Sequence, residues 1–251
     1  MAGKVLAAVA CLAAVATMLT GSAAAAHGTG TPIRVLQMNL CGSGIAHCYT
    51  GRSVPEAASV IRAQAPDVVT LNEICQSDVD TLRRAMAGTA VVAAFRAAGD
   101  RRTGGPFRCR DGQPYGIGLL TRGVARGIDS GLYPVQDPGD PEERAWLCAS
   151  LGGLTACTTH LANTSATVAL GQCRYLLARV PRPAVLGGDL NLGARDGLAC
   201  VPAGFAAVDD GGVQHILATP GATVVWSASI DMAGTTDHPA LLATLTDLSR
   251  R

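Results

Sequence analysis

Short apolar segments with the composition of β-strands dominate the sequence, and this feature limits the possible folds more than any other. Five such segments lie between residues 89 and 160, where clusters of Gly, Pro and Asp separate them. They are residues 89–95, 115–121, 124–133, 146–151 and 154–160. The Gly152-Gly153 step between the last two fits a two-residue hairpin turn. These segments predict antiparallel strands.

Helical spacing of apolar residues predicts three helices, at residues 54–64, 77–86 and 165–178. Pro66 ends the first, and Ser77 is the expected N-cap of the second, with Asp78 and Asp80 in its first turn. Further strands are predicted at residues 33–40, 67–71, 184–187, 213–218, 223–228 and 240–245. Many strands with a few long helices among them predict a layered α+β sandwich.

The N-terminal residues predict export. Lys4 precedes an almost wholly apolar stretch, residues 5–19, and small residues follow at 21–26. This is the pattern of a signal peptide at residues 1–26, cleaved before His27. An uncleaved N-terminal anchor is the alternative, but the stretch is short for a membrane span. We expect a secreted protein without a stable membrane anchor after cleavage.

Cysteine usage supports an oxidising compartment. Nine cysteines occur, and cleavage after Ala26 removes Cys11 and leaves eight. An even number in an exported chain predicts disulfides, although eight cysteines can pair in about 105 ways. The local pairs Cys41–Cys48 and Cys173–Cys200 are the ones that we favour. No Cys-x-x-Cys motif occurs, which disfavours zinc.

The mature chain is nearly neutral, with 19 basic and 19 acidic residues once Lys4 is removed. Its net charge therefore gives no strong nonspecific attraction to nucleic acid or anionic membranes. The sequence has one local basic stretch, which consists of Arg96, Arg101, Arg102, Arg108 and Arg110. This stretch either contacts phosphate groups or is a solvated loop. No linker or internal repeat divides the chain, so we expect residues 27–251 to form a single domain. We also expect the protein to be a monomer.

Polar side chains mark five strand ends where ordinary turn residues are more common. They are Gln37 and Asn39, Asn72 and Glu73, His160 and Asn163, Asp189 and Asn191, and Asp237 and His238. Each alone has an ordinary explanation as a cap, a turn or a solvated residue. Gathered at one sheet edge, they would form a phosphoester site. Carboxylates can hold Mg²⁺ or Mn²⁺, while His and Asn, including Asn163, can donate to phosphate oxygens.

Six motifs, in this order, resemble the endonuclease/exonuclease/phosphatase superfamily. They are Arg-Val-Leu-Gln-Met-Asn (34–39), Pro-Asp-Val-Val-Thr-Leu-Asn-Glu (66–73), Tyr-Gly-Ile-Gly-Leu-Leu-Thr-Arg (115–122), Thr-Thr-His-Leu-Ala-Asn (158–163), Gly-Gly-Asp-Leu-Asn (187–191) and Thr-Asp-His-Pro (236–239). The superfamily contains pancreatic deoxyribonuclease, exonuclease III-type abasic endonucleases, inositol polyphosphate 5-phosphatases and bacterial sphingomyelinases. The resemblance implies a four-layer αββα sandwich of two packed, mainly antiparallel sheets, with the site at their top.

The resemblance also implies roles for individual residues. Glu73, Asn39 and Asp237 match the metal side of the family's site. His160 matches a histidine that contacts the phosphate, Asp189 the aspartate that activates or orients water, and His238 the terminal catalytic histidine. Asn191 matches the phosphate-binding asparagine, and Tyr115 matches a catalytic-site tyrosine found in part of the family.

One position departs from the family pattern. The family has an aspartate, in an Ile-Asp-Tyr-Ile-like strand, that orients the final histidine, whereas this chain has Gln214 in Val213-Gln214-His215-Ile216. A glutamine oxygen can accept an imidazole N–H and fix its tautomer, but it brings no charge. We therefore expect Gln214 to be the neutral partner of His238.

Three classes of function stay open on the sequence. The first is a divalent-metal-dependent nuclease that cleaves phosphodiester bonds in extracellular DNA or RNA. The second is a phosphatase or a sphingomyelinase-like phospholipase C, although the chain has only nine Phe, Tyr and Trp residues for a lipid-binding loop. Trp146 and Trp226 lie in strand patterns and are expected in the core. The third is a noncatalytic binding protein with the same fold.

Overall fold

A computed structural model describes residues 31–88 and 90–248. The helices are α1 (Ser53–Gln64), α2 (Gln76–Ala85), α3 (Ala166–Arg179) and α4 (Ala194–Gly197), with a 3₁₀ turn at Leu198–Cys200. The strands are β1 (Ile33–Asn39), β2 (Val68–Cys75), β3 (Val91–Ala97), β4 (Gly99–Asp100), β5 (Gly105–Pro106), β6 (Tyr115–Arg122), β7 (Gly127–Leu132), β8 (Glu142–Glu143), β9 (Ala145–Ser150), β10 (Thr155–His160), β11 (Ala184–Asp189), β12 (Ala206–Asp209), β13 (Gln214–Ala218), β14 (Thr223–Ile230) and β15 (Ala240–Thr246). The predicted signal peptide lies outside the described residues.

Two six-stranded sheets form the centre of the molecule. Their strand orders are β14-β15-β1-β2-β6-β3 and β12-β13-β11-β10-β9-β7. Each contains one parallel pair, β1 with β2 and β10 with β11, and the other neighbours run antiparallel. A small sheet of β5, β4 and β8 lies beside them. The predicted pair of mainly antiparallel sheets is confirmed.

Three apolar clusters give the molecule four layers. The cluster between the sheets joins residues such as Val35 and Leu119 of the first sheet to Val185 of the second. Helices α1 and α2 pack on the outer face of the first sheet, for example through Ile61. Helix α3 covers the outer face of the second sheet. The predicted αββα sandwich is confirmed, and the burial of apolar faces on both sides of each sheet stabilises it.

The two parallel pairs bring polar strand ends together. Asn39 lies opposite Asn72 at the ends of β1 and β2, and His160 lies opposite Asp189 at the ends of β10 and β11. Gln214, at the start of the antiparallel strand β13, also lies opposite Asp189. Packing of the two sheets then places these ends at one edge of the sandwich.

Two local predictions are wrong. Helix α2 is capped by Cys75 rather than Ser77, because the Asp78 carboxylate accepts a hydrogen bond from the Cys75 backbone N–H and starts the helix earlier. Trp226 is 49% exposed, because β14 is an edge strand of its sheet. Trp146, by contrast, is buried as expected. The Leu151 N–H donates to the Leu154 carbonyl, which confirms the hairpin turn.

The eight cysteines of the described residues form four disulfides. The pairs are Cys41–Cys48, Cys75–Cys109, Cys148–Cys157 and Cys173–Cys200. Both pairs favoured from the sequence are confirmed. Cys148–Cys157 joins residues that lie directly opposite each other on β9 and β10, a pair that the register of the predicted hairpin implies and that we did not predict. Among the described residues, no helix has the length and apolarity needed to cross a membrane.

We expect an exported protein that begins near His27 and has no free thiol, because all eight cysteines of the described residues are paired. Intact-mass analysis should show no alkylation of the unfolded protein before reduction and eight alkylations after it. Alkylation of all eight cysteines without reduction would show that the disulfides do not form.

Candidate active site

Glu73 lies at a distorted end of β2. The register between β2 and β6 shifts between Leu71 and Ile74, and Glu73 has a φ of 54°, a value that few residues other than glycine adopt. Its carbonyl accepts a hydrogen bond from the Gly42 N–H at 2.6 Å. The bulge directs the side chain toward Asn39 at the end of β1, whose Nδ2 lies 2.9 Å from Glu73 Oε1.

Asp189, at the end of β11, is the most strongly held carboxylate of this edge and is 1% exposed. Its Oδ2 accepts hydrogen bonds from Asn39 Nδ2 at 3.0 Å and Gln214 Nε2 at 2.8 Å. Its Oδ1 accepts one from the Asn191 backbone N–H at 2.9 Å. His238 Nε2 lies 3.7 Å from Oδ2. Asp189 is therefore fixed in orientation and faces an imidazole.

Asn39 connects the two carboxylates. Its Nδ2 donates to both Glu73 and Asp189, while its Oδ1 accepts from the Cys41 backbone N–H at 3.1 Å. Because ionised carboxylates only accept hydrogen bonds, the amide nitrogen must face them. Asn39, predicted on the metal side, thus lies beside Glu73 and holds it.

His160 is oriented by Arg144, a residue that the sequence analysis missed. The Arg144 guanidinium is 2% exposed and lies 3.3 Å from Glu142, 2.9 Å from Asp140 and 3.0 Å from His160 Nδ1. A guanidinium only donates, so Nδ1 accepts and the imidazole proton lies on Nε2. The signal for Arg144 was present in the sequence, since three carboxylates in the four residues before it suit a buried cation.

Burial lowers the pKa of His160 well below its usual range, and the positive charges of Arg144 and His238 lower it further. His160 is therefore neutral near pH 7. Its Nε2–H lies 4.0 Å from Glu73 Oε1. Burial raises the pKa of Glu142 to about 7, against the effect of Arg144.

Asp237 and His238 lie in the loop before β15. The His238 side chain is 24% exposed and the Asp237 side chain 55%, and His238 Nε2 is 3.7 Å from Asp237 Oδ1. Thr236 Oγ1 donates to the Asn39 carbonyl at 3.0 Å, which attaches this loop to the end of β1. Asp237 therefore lies at the solvent-exposed side of the site.

The remaining predicted site residues are Asn191, Tyr115 and Asn163. Asn191 Nδ2 donates to the Leu161 carbonyl at 2.9 Å, so the asparagine joins the loops after β10 and β11. Tyr115 is buried at the start of β6, and burial, with the charges of Glu142 and Glu73, raises its pKa. Asn163 is exposed and, among the described residues, makes no hydrogen bond to this cluster.

The sequence comparison identifies the family. Residues 39–238 match the model of the Endonuclease/Exonuclease/phosphatase family. The chain belongs to this family. The resemblance inferred from the motifs is therefore confirmed, and the protein is a phosphoric ester hydrolase. Members of the family generally use divalent metal ions. No curated protein is a significant sequence match to this chain.

Solved structures support the assignment of the fold. An endonuclease/exonuclease/phosphatase from Beutenbergia cavernae DSM 12333 has a TM-score of 0.67 and 22% identity, covering 86% of this chain and 71% of that chain. Mannosyl-6-phosphatase Bt3783 of Bacteroides thetaiotaomicron VPI-5482 has a TM-score of 0.64 and 12% identity, covering 85% and 99%. D. rerio TDP2, complexed with single strand DNA product, has a TM-score of 0.60 and 18% identity, covering 86% and 99%.

Gln214 contacts Asp189 and Gln37 rather than His238. The expectation that it pairs with His238 is therefore wrong. Gln214 Nε2 donates to Asp189, and its Oε1 accepts from Gln37 Nε2 at 2.8 Å. Both ends of the amide are therefore engaged elsewhere. The polar neighbours of His238 are instead Asp189 and Asp237.

The carboxylates of the family's site fit a hard divalent cation. Burial raises the pKa of Glu73 and the charges of Asp189 and Asp237 raise it further, although the Asn39 hydrogen bond opposes this. Arg144, whose positive charge lowers the pKa of Glu73, is already paired with Asp140 and Glu142, and a bound cation would offset the remaining negative charge. Oxygen ligands with room for water are what Mg²⁺ prefers. Among the described residues, two groups of possible metal ligands lie within 4.8 Å of one another: Cys41, Cys48 and Asp237, and Cys75, Cys109 and Asp111. The two cysteines of each group form a disulfide, so neither group can bind a metal through thiolates.

Proposed function

We propose that this protein is a secreted, divalent-metal-dependent nuclease that hydrolyses phosphodiester bonds in extracellular DNA or RNA. One observation carries the proposal: Asn39 joins Glu73 to Asp189, and an imidazole Nε2 lies within 4.0 Å of each carboxylate. This arrangement combines a place for a cation, an oriented carboxylate and two donors to phosphate oxygens. The four disulfides and the apolar leader support secretion.

Each side chain has one task in this proposal. Glu73 and the exposed Asp237 would hold Mg²⁺ or Mn²⁺, which when bound supplies positive charge to the phosphate oxygens. Asp189 accepts a hydrogen bond from the attacking water and orients it. Neutral His160 donates its Nε2–H to a nonbridging oxygen, because Arg144 occupies Nδ1. His238, beside Asp189, is placed to donate to the phosphate or the leaving group.

A cavity near this site favours a polynucleotide over a small phosphoester. It has a volume of about 430 Å³ and is lined by Asp100, Arg102, Phe107 and Arg108, among others, and Asp100 forms an ion pair with Arg102. Phe107 packs on Tyr115, with ring centroids 5.6 Å apart. The Cys75–Cys109 disulfide ties the same loop to the strand that carries Glu73. Two arginines beside an aromatic ring suit a flanking phosphate and its base.

We expect the double variant Arg102→Ser/Arg108→Ser to lower kcat/KM on single-stranded DNA about tenfold and to reduce its salt dependence, since two phosphate contacts are lost. Hydrolysis of bis-p-nitrophenyl phosphate, which has no flanking phosphate, should not change. Arg83→Ser/Arg84→Ser on α2 is the matched control and should affect neither substrate. Equal losses on both substrates would contradict the role of the cavity.

A phosphatase or sphingomyelinase-like phospholipase C is the alternative within the same family. Assays on plasmid DNA, RNA, sphingomyelin and a sugar phosphate, with metal added, distinguish these classes. We expect cleavage of nucleic acid by a monomeric protein. Turnover of sphingomyelin or the sugar phosphate without nuclease activity would overturn the nuclease proposal and leave phosphoester hydrolysis in place. If the wild type hydrolysed none of these four substrates, a noncatalytic binding protein would be favoured.

A further inference from the structure

We propose that Gln214 is a positioning residue for Asp189, and that this position requires an amide because it lies between a fixed hydrogen-bond donor and a carboxylate. The inference rests on the proposed role of Asp189 in orienting the attacking water. It assigns a function to a residue at which this chain departs from the family pattern.

A closed ring of hydrogen bonds joins the two sheets beneath the site. Gln37 Nε2 donates to Asn72 Oδ1 at 2.6 Å and to Gln214 Oε1 at 2.8 Å. Gln214 Nε2 donates to Asp189 Oδ2 at 2.8 Å, and the Asp189 backbone N–H donates to Asn72 Oδ1 at 2.7 Å. All four side chains are at most 1% exposed, so bulk water cannot replace a lost bond.

The direction of the ring is fixed outside Gln214. Thr70 Oγ1 donates to Gln37 Oε1, which leaves both N–H groups of Gln37 as donors into the ring. Asn72 Nδ2 donates to the Thr159 carbonyl at 2.9 Å, so the Asn72 oxygen must face Gln37. Gln214 must then present its oxygen to Gln37, which turns its NH₂ group toward Asp189.

A carboxylate cannot satisfy both neighbours of position 214. It could accept from Gln37, but it would place a second negative charge against Asp189 in a site without solvent. An amide accepts on one side and donates on the other. Together with Asn39 and Asn191, Gln214 then holds Asp189 through three donors, and the carboxylate keeps one orientation toward its catalytic space.

The variant Gln214→Glu tests this directly because it changes one NH₂ group to oxygen and keeps the shape of the side chain. We expect kcat to fall about 100-fold, as for a misplaced catalytic group, with KM within about twofold of wild type. Ile216→Val, buried in the intersheet core on the same strand, is the matched control: it should lower Tm and leave kcat unchanged. Wild-type kcat in Gln214→Met, whose side chain cannot donate to Asp189 at any pH, would overturn the proposal.

A double-mutant cycle tests the ring itself. Among the described residues, Gln37 makes no hydrogen bond to the Asp189 side chain, so Gln37→Met should lower kcat through the other members of the ring, Gln214 and Asn72. In a Gln214→Met background, adding Gln37→Met should therefore cost little further activity. Additive losses in kcat would show that the two glutamines act independently and would contradict the ring as the source of the effect.

Crystal structures of the wild type and Gln214→Glu give a result that does not depend on a known substrate. We expect the Asp189 carboxylate of the variant to move by more than about 0.5 Å and to lose its bond to Asn39 or Asn191. An unmoved Asp189 would overturn the positioning role even if no activity were found. Inactivity of the wild type on every phosphoester would instead contradict the proposed function alone.

Discussion

Replacing Glu73 with glutamine should reduce phosphodiesterase activity by about 1,000-fold or more while leaving the fold intact. The change removes the buried negative charge that would hold the cation and keeps an oxygen that can accept from Asn39. Burial raises the pKa of Glu73 above its ordinary value of 4.5. Without metal and at pH above 4.5, ionised Glu73 therefore lowers the free energy of unfolding of the wild type. The variant should therefore have a Tm in EDTA at least equal to that of the wild type.

Metal titration of the activity separates this role from a structural one. The wild type should regain activity as Mg²⁺ or Mn²⁺ is added after EDTA treatment, whereas Glu73→Gln should need far more metal or fail to respond. Glu56→Gln in the first turn of α1 is the matched control and should behave as wild type. A Glu73→Gln enzyme with the wild-type metal response would place the cation elsewhere.

The variant Arg144→Met should lower both the free energy of unfolding and the activity. Removing this buried cation leaves Glu142 and Asp140 without their partner, and breaking a buried ion pair costs about 3–5 kcal/mol of the free energy of unfolding. It also frees His160 Nδ1, so the imidazole can exchange tautomers and its pKa should rise. We expect activity to fall about 100-fold as the oriented Nε2–H donor is lost.

Nitrogen-15 NMR of His160 is the measurement that checks the Arg144 prediction beyond stability. In the wild type Nε2 should carry the proton and Nδ1 should not; in Arg144→Met both tautomers should be populated. Arg83→Met, which loses an exposed ion pair on α2, is the control for removal of an arginine and should change neither activity nor tautomer. An unchanged His160 tautomer and full activity in Arg144→Met would refute the orienting role.

The periodicity of the strands and helices predicted a layered α+β sandwich, and the resemblance to the family implied its four layers. The carboxyl ends of the parallel pairs β1–β2 and β10–β11 carry the polar residues, so the prediction that Asn39, Glu73, His160 and Asp189 meet at one edge follows from sheet geometry. Trp226 shows the limit of this approach: an edge strand and a central strand have the same apolar pattern, and only tertiary pairing distinguishes them.

Details that depend on contacts between the sheets could not be predicted. Gln214 lies 25 residues from Asp189 and 177 from Gln37, and no local pattern indicates that it lies between these two. The Cys75–Cys109 pair likewise follows from the tertiary fold, whereas the register of the predicted hairpin already implies Cys148–Cys157. The functions of Tyr115, Asn163 and Asn191 in catalysis or phosphate binding stay predictions.

The most direct test of metal-dependent hydrolysis at this site is the initial rate of p-nitrophenol release from bis-p-nitrophenyl phosphate by EDTA-treated protein. The rate should be zero without metal, should rise to saturation with added Mg²⁺ or Mn²⁺, and should stay near zero at every metal concentration in an Asp189→Asn variant. Full turnover in metal-free buffer, or a wild-type rate from Asp189→Asn, would contradict the account.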